Sequence, residues 1–165
     1  MDINDPHYLG VLTALNDHDV QHILVGGLAV GYHGYVRYTG DMDLWIEPSE
    51  NNMKKLGKAL IQLEYEQDLV ETILNTRPLD HPTPIRLISE SGKKVDLMTT
   101  IYNDNFSFEE CMASSHSHSE LGTKINVIHI NQLIEIKENT KRYDHDLKDL
   151  VDAEKLKEIR SNKKL

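Results

Sequence analysis

Cysteine is almost absent from this chain: Cys111 is the single thiol in 165 residues, so no intrachain disulfide can form. A chain of this length buries about 70% of its unfolded surface without such staples, and thiols without disulfides suit a reducing compartment. Long apolar runs are missing too, none approaching the roughly 18–20 residues of a membrane span. The acidic start, Met1-Asp-Ile-Asn-Asp-Pro, lacks the basic-then-apolar pattern of a secretory signal. These absences lead us to expect a cytoplasmic protein without membrane contact, folded as one domain over residues 1–165.

Positive charge is scarce as well. A net charge of −9 excludes broad, sequence-independent binding of DNA or RNA, which depends on a basic surface. It leaves room for a nucleotide, whose phosphates meet metal ions and one or two local cations. Lys155, Lys157, Arg160, Lys163 and Lys164 cluster at the C-terminus, where cations complement the end of a helix. A Ser–His–Asp hydrolase is excluded because no Gly-x-Ser-x-Gly turn is present. Zinc-type ligands are sparse: His116-Ser-His118 reads as a Ser-rich loop and His81 lies in a proline loop. No cysteine or second histidine pair stands at supporting spacing.

What is present reads as helices alternating with strands. Asp5-Pro6 is an N-cap followed by proline at the first helical position, and Tyr8, Val11, Leu12 and Leu15 repeat at helical spacing to about His18. His22 to Val25 is a short buried strand, Gly27 to Gly34 a short helix, and Asp41 to Ile46 a second strand stopped by Glu47-Pro48. Ser49 caps a helix carrying Met53, Leu56, Leu60 and Leu63 on its inner face. Asn75 to Pro84 reads as a loop. Residues 85–90 and 93–98 flank Ser91-Gly92, a hairpin signal. Ser107-Phe-Glu-Glu110 has the spacing of a capping box, Lys124 to Ile130 alternates as a strand, and Asn131 to Thr140 and Asp144 to about Arg160 are helices. The order predicts an α+β fold, a mixed β-sheet flanked by helices, with a helical segment from about residue 131.

The chemistry concentrates in one stretch. An apolar run ends in Gly26-Gly27, and after thirteen further residues Asp41-Met-Asp43 opens the next strand. Side chains at i and i+2 of a strand share a face, and two carboxylates held together resist joint ionisation. A divalent cation between them is the simplest resolution, and the bare backbone of the glycines suits phosphate. Asp96 sits on the second hairpin strand between Val95 and Leu97, which point the other way into the core. If that strand lies beside Asp41–Asp43, three carboxylates converge, as a two-metal phosphoryl-transfer site requires.

Gly26-Gly27, Asp41-Met-Asp43 and Asp96 at these spacings resemble the nucleotidyltransferase fold of the DNA polymerase beta superfamily. More narrowly, Val25-Gly-Gly-Leu-Ala, His33-Gly34 and Arg37-Tyr-Thr39-Gly-Asp41-Met-Asp43 are similar to a group of small bacterial nucleotidyltransferase-like proteins. That group includes the toxin partners of the abortive-infection AbiE type. The segment Leu133-Ile-Glu-Ile-Lys137, Arg142 and Leu147 to Leu156 resembles the group's C-terminal signature. In the superfamily the second loop position, Gly27 here, is often serine.

The resemblance implies a catalytic set of Asp41, Asp43 and Asp96 holding two Mg²⁺ or Mn²⁺ ions, with a nucleoside triphosphate as substrate. Gly26, Gly27, Arg37, Thr39, His33 and Lys137 are the candidates for binding the nucleotide and its phosphates. Arg37 is either a phosphate ligand or a structural counter-ion, and Thr39 bonds a phosphate oxygen or caps the strand end. His33 orients the site or is satisfied by a neighbouring carbonyl. Lys137 reaches the triphosphate or pairs with Asp149. The expected reaction moves a nucleoside monophosphate to an acceptor hydroxyl on an RNA end, a protein or a small molecule. The alternative is a catalytically weak, nucleotide-binding partner subunit of a toxin–antitoxin pair.

Overall fold

Asp5 starts the first helix as its spacing predicts: the carboxylate accepts a hydrogen bond from the His7 backbone N–H at 3.0 Å, and Pro6 occupies the first turn of α1 (Pro6–Asp17). The structure, a computed structural model, describes residues 5–76, 83–101, 105–139 and 147–162. His81, Arg142, Lys163, Lys164 and the Asp144 start expected for the last helix lie outside the described residues. After α1 come β1 (His22–Val25), α2 (Gly26–His33), β2 (Asp41–Ile46), α3 (Glu50–Gln62) and α4 (Gln67–Thr76). The hairpin β3 (Ile85–Ile88) and β4 (Lys94–Met98) follows, then α5 (Phe108–Ser114), β5 (His116–Glu120), β6 (Thr123–Val127), α6 (Ile130–Glu138) and α7 (Leu147–Asn162). Ser107 and Glu110 form the expected capping box on α5.

The strands make one six-stranded sheet in the order β3-β4-β2-β1-β6-β5. β2 runs antiparallel to β1 and parallel to β4, and β6 runs parallel to β1. The sheet is therefore mixed and flanked by helices, as expected. Every residue of β1 is buried, so both faces of the sheet are covered at its centre. Met42, Leu44 and Ile46 of β2 are fully buried and alternate with Asp41 and Asp43. One face of β2 thus packs the core while the other carries carboxylates. Buried Asn52 fastens the frame at the far end. Its carboxamide oxygen accepts from Gln21 N–H at 2.8 Å, and its NH₂ donates to the Gln21 and Glu47 carbonyls.

The strand expected over Lys124 to Ile130 stops at Val127, and Ile130 opens α6; three larger features also depart from the sequence expectation. His116–Glu120 is a strand rather than a loop. It is an edge strand whose first four residues are exposed, so it has no apolar alternation to betray it. It turns into β6 through Leu121 (φ 48°) and Gly122 (φ 84°), two successive left-handed residues of the kind that close tight hairpins. α4 is an additional helix, anchored by Val70, which is 2% exposed. The third is the β3–β4 loop. Ser89 N–H donates to the Lys93 carbonyl and Gly92 N–H to the Ser89 carbonyl, both at 2.9 Å, with Gly92 at φ 79°. The loop therefore holds Glu90, Ser91 and Gly92, one residue more than a Ser91-Gly92 turn. That extra residue shifts the pairing of β3 on β4 by one.

Candidate active site

The parallel pairing of β2 with β4 puts Asp43 beside Asp96 and Met42 beside Val95. Paired residues on neighbouring strands project to the same face, so Asp41, Asp43 and Asp96 converge while Val95 and Leu97 enter the core. A carboxylate oxygen from each of the three lies within 4.8 Å of the others. Asp96 is 5% exposed. Thr39 Oγ1 donates to Asp41 Oδ1 at 3.2 Å, placing the threonine at the strand end against the carboxylates. Clustered carboxylate oxygens are the hard donors that Mg²⁺ and Mn²⁺ prefer, so the residues fit the ions the resemblance implies.

Gly26 and Gly27 bring α2 against this face. Gly26 has φ +64°, and a Cβ there would lie 1.9 Å from Asp43 Oδ2. Both the left-handed backbone and the close approach require glycine. At Gly27 a Cβ would meet Thr39 Oγ1 at 2.5 Å and Thr39 Cβ at 2.7 Å. The glycine pair lets the first turn of α2, with its positive dipole end, sit directly over Asp43 and Thr39.

A cleft of about 390 Å³ opens over these residues, within the size range of small-molecule sites. Arg37, Thr39 and Lys137 line it together with the glycines and the three aspartates, as do Lys148 and Asp149. His33 does not line it. The His33 ring is buried, and its Nε2 donates to the Ile128 carbonyl at 2.8 Å.

Two partners of the expected residues escaped the sequence reading. Arg86, opposite Asp96 in the β3–β4 pairing, donates from Nε to Asp96 Oδ1 at 2.7 Å and from Nη2 to Oδ2 at 2.6 Å. A three-residue loop between β3 and β4 would have revealed it. A two-residue turn places Leu87 there instead. Asp152 of α7 is completely buried. It accepts both forks of Arg37 at 2.6 and 2.5 Å and pairs with Lys137 at 3.2 Å. Lys137 also donates to Asp149 at 2.5 Å. Asp152, Ala153 and Leu156 are the buried residues of α7, a helical spacing that marks the aspartate as inward-facing.

The charges leave their marks on neighbours. The Arg86 guanidinium is held further into its charged form by Asp96 first, with Asp41 and Asp43 adding to it. Arg37 is held likewise by Asp152, against the cost of its burial. The Tyr8 phenol on α1 is pushed up to about 12 by burial first, then by Asp5, Asp41, Tyr38 and Asp43. The His116–His118 strand forms a ring cluster instead, with His116 stacked on His129 at 5.4 Å between ring centres. Among the described residues, the three aspartates are the group whose ligand atoms gather closely enough for a metal.

Among the described residues no helix is long and apolar enough to cross a membrane. Comparison of the sequence with protein-family models and with curated proteins finds no match. Among solved structures, the chain is similar to the crystal structure of the lincosamide antibiotic adenylyltransferase LnuA with lincomycin bound. The TM-score is 0.54 and the identity 15%, over 96% of this chain and 99% of that chain. The likeness is one of fold: this chain has the nucleotidyltransferase fold, and the comparison does not reach the narrower AbiE-type group.

Proposed function

We propose that this protein, built on that fold, transfers a nucleoside monophosphate from a nucleoside triphosphate to an acceptor hydroxyl and releases pyrophosphate. The observation that carries the reading is the Asp43–Asp96 pairing, which gathers three carboxylates on the sheet face directly beneath the α2 N-terminus. A purely structural role would leave three like charges crowded to no purpose. Asp41, Asp43 and Asp96 would hold two Mg²⁺ or Mn²⁺ ions, which when bound neutralise phosphate oxygens and ease deprotonation of the attacking hydroxyl.

The chain's own residues supply positioning. The acceptor oxygen bonds to the α-phosphorus as the bond to the bridging oxygen of pyrophosphate breaks, and Asp96 orients the hydroxyl, whose proton passes to solvent water. Gly26 and Gly27 bring backbone N–H groups toward the leaving phosphates, with Thr39 beside them. Arg37, beside Gly27, and Lys137 line the cleft and would meet phosphate oxygens with the donor capacity that Asp152, Asp149 and the Tyr38 carbonyl leave them. Met98, Ile101, Leu133 and Ile136 form an aliphatic wall suited to a nucleobase. Such positioning and charge neutralisation account for most phosphoryl-transfer catalysis.

A second reading, a catalytically weak nucleotide-binding subunit of a toxin–antitoxin pair, is favoured by one observation. Both oxygens of Asp96 are engaged by Arg86. Incubation with each labelled nucleoside triphosphate, Mg²⁺ and cell extract separates the two and reveals the acceptor. ATP comes first, and small-molecule hydroxyls join RNA ends and proteins in the panel, because the structural neighbour adenylylates a lincosamide. Asp96→Ala should keep most triphosphate affinity and lose transfer by about a hundredfold or more, since contacts made mainly in the transition state lower turnover. Normal transfer by Asp96→Ala would remove the third carboxylate from the chemistry.

A further inference from the structure

Arg86 stands on β3, at the outer edge of the sheet. On that strand Ile85 and Leu87 are buried while Arg86 and Ile88 are exposed. Its side chain is 49% exposed, whereas the Asp96 carboxylate it grips is 7% exposed. The grip is the planar bidentate kind that arginine makes with a carboxylate and equally with a phosphate. Asp96 therefore has both oxygens occupied by a guanidinium that lines the cleft and has a solvent-facing route away from it. The guanidinium also feels Asp41 and Asp43, so it partly neutralises the whole cluster.

Resting on the nucleotidyltransferase reading, we propose that Arg86 is an exchangeable counter-ion. It keeps Asp96 from ligating a divalent metal until a nucleoside triphosphate arrives, then moves its fork from Asp96 to the phosphates. The exchange conserves hydrogen bonds: two N–H donors leave one pair of anionic oxygens and meet another. It also conserves charge, because the metal replaces the guanidinium at the carboxylates as the guanidinium follows the incoming anion. Metal binding by the three-carboxylate set thereby becomes conditional on nucleotide, which guards the site against idle metal loading.

Direct Mn²⁺ titration of the whole protein, with and without a non-hydrolysable ATP analogue, tests this on the wild type, Arg86→Met and Arg86→Gln. In the wild type the analogue should tighten Mn²⁺ binding. With the clamp removed, Mn²⁺ alone should bind about tenfold tighter than in the wild type, and the help from the analogue should shrink. Affinity for the analogue at saturating Mn²⁺ should fall about tenfold, because the phosphates lose a charged fork. Arg86→Gln, which keeps a neutral donor, serves if Arg86→Met does not fold. Unchanged or weaker Mn²⁺ binding in a folded Arg86 variant overturns the exchange while leaving the proposed activity standing. Absence of Mn²⁺ and nucleotide binding in the wild type overturns the activity itself, and the exchange with it.

Discussion

Two ion clusters border the cleft, and they are built on opposite principles. On the helical side, Arg37 and Lys137 meet Asp149 and Asp152, two cations with two carboxylates joined at 2.5–3.2 Å. All four side chains are at most 17% exposed. On the sheet side, Asp41, Asp43 and Asp96 crowd together, with Arg86 paired to Asp96. The first cluster is neutral and ties α6 and α7 to the segment between α2 and β2. The second carries excess negative charge, which reaches the Arg86 guanidinium and the Tyr8 phenol. Matched buried charges hold a fold in one arrangement, whereas a cluster with an excess of like charge is a candidate site for a cation.

Breaking the neutral cluster should cost the most stability. Asp152→Ala leaves Arg37 and Lys137 facing each other with their shared partner gone. Removing one member of a buried ion cluster typically costs about 3–5 kcal/mol. Urea unfolding should show a loss of that size, with Asp152→Asn losing less because its carboxamide oxygen still accepts from Arg37 or Lys137. A loss below about 1 kcal/mol, the level of an exposed pair, would mean that the helices are held on by packing alone.

The same kind of change in the other cluster should behave in reverse. Asp43→Asn removes a like charge facing Asp96 across β2 and β4, a relief worth about 0.2–1 kcal/mol, so unfolding free energy should stay level or rise slightly. Mn²⁺-dependent nucleotide binding should meanwhile fall by more than the about 10–100-fold seen when a metal loses only an outer partner. A marked loss of stability with binding intact would make the sheet cluster structural too, and the contrast between the two would collapse.

The contrast was half legible in the sequence. Asp41, Asp43 and Asp96 could be placed on one face because strand alternation is rigid: once Val95 and Leu97 face the core, Asp96 cannot. Their cationic partners were harder to assign, because an ion pair depends on register and on tertiary contact. Arg86 hid behind a turn one residue longer than its Ser-Gly signal. Asp152 hid on α7, whose polar surface also exposes Leu147 and Val151, so the inward side of that helix is poorly marked. Lys137 stood out by lying among Leu133, Ile134 and Ile136, and one of its two partners, Asp149, was foreseen. β5 and α4 were missed for a related reason. An edge strand of exposed His and Ser carries no apolar period, and α4 packs on α3.

The smallest effect, and the sharpest measure of the unmatched charge, is the titration of Tyr8. This ring is fully buried, and its phenol rises from 10.0 to about 12, by burial first and then by carboxylates that include Asp41 and Asp43. The phenol stays neutral in the folded chain while the unfolded chain ionises it near 10. The stability it contributes is therefore complete below pH 10 and is lost as pH rises toward about 12. In the Asp41→Asn, Asp43→Asn double variant the Tyr8 ring-carbon resonance should titrate at lower pH than in the wild type. The drop should be smaller than the whole elevation, because burial remains. In Asp152→Asn, whose cluster is not among the causes of the shift, the Tyr8 titration should stay where it is. No movement in the double variant would mean that the charge of Asp41 and Asp43 is already compensated within the protein, leaving no electrostatic demand for a cation at the site.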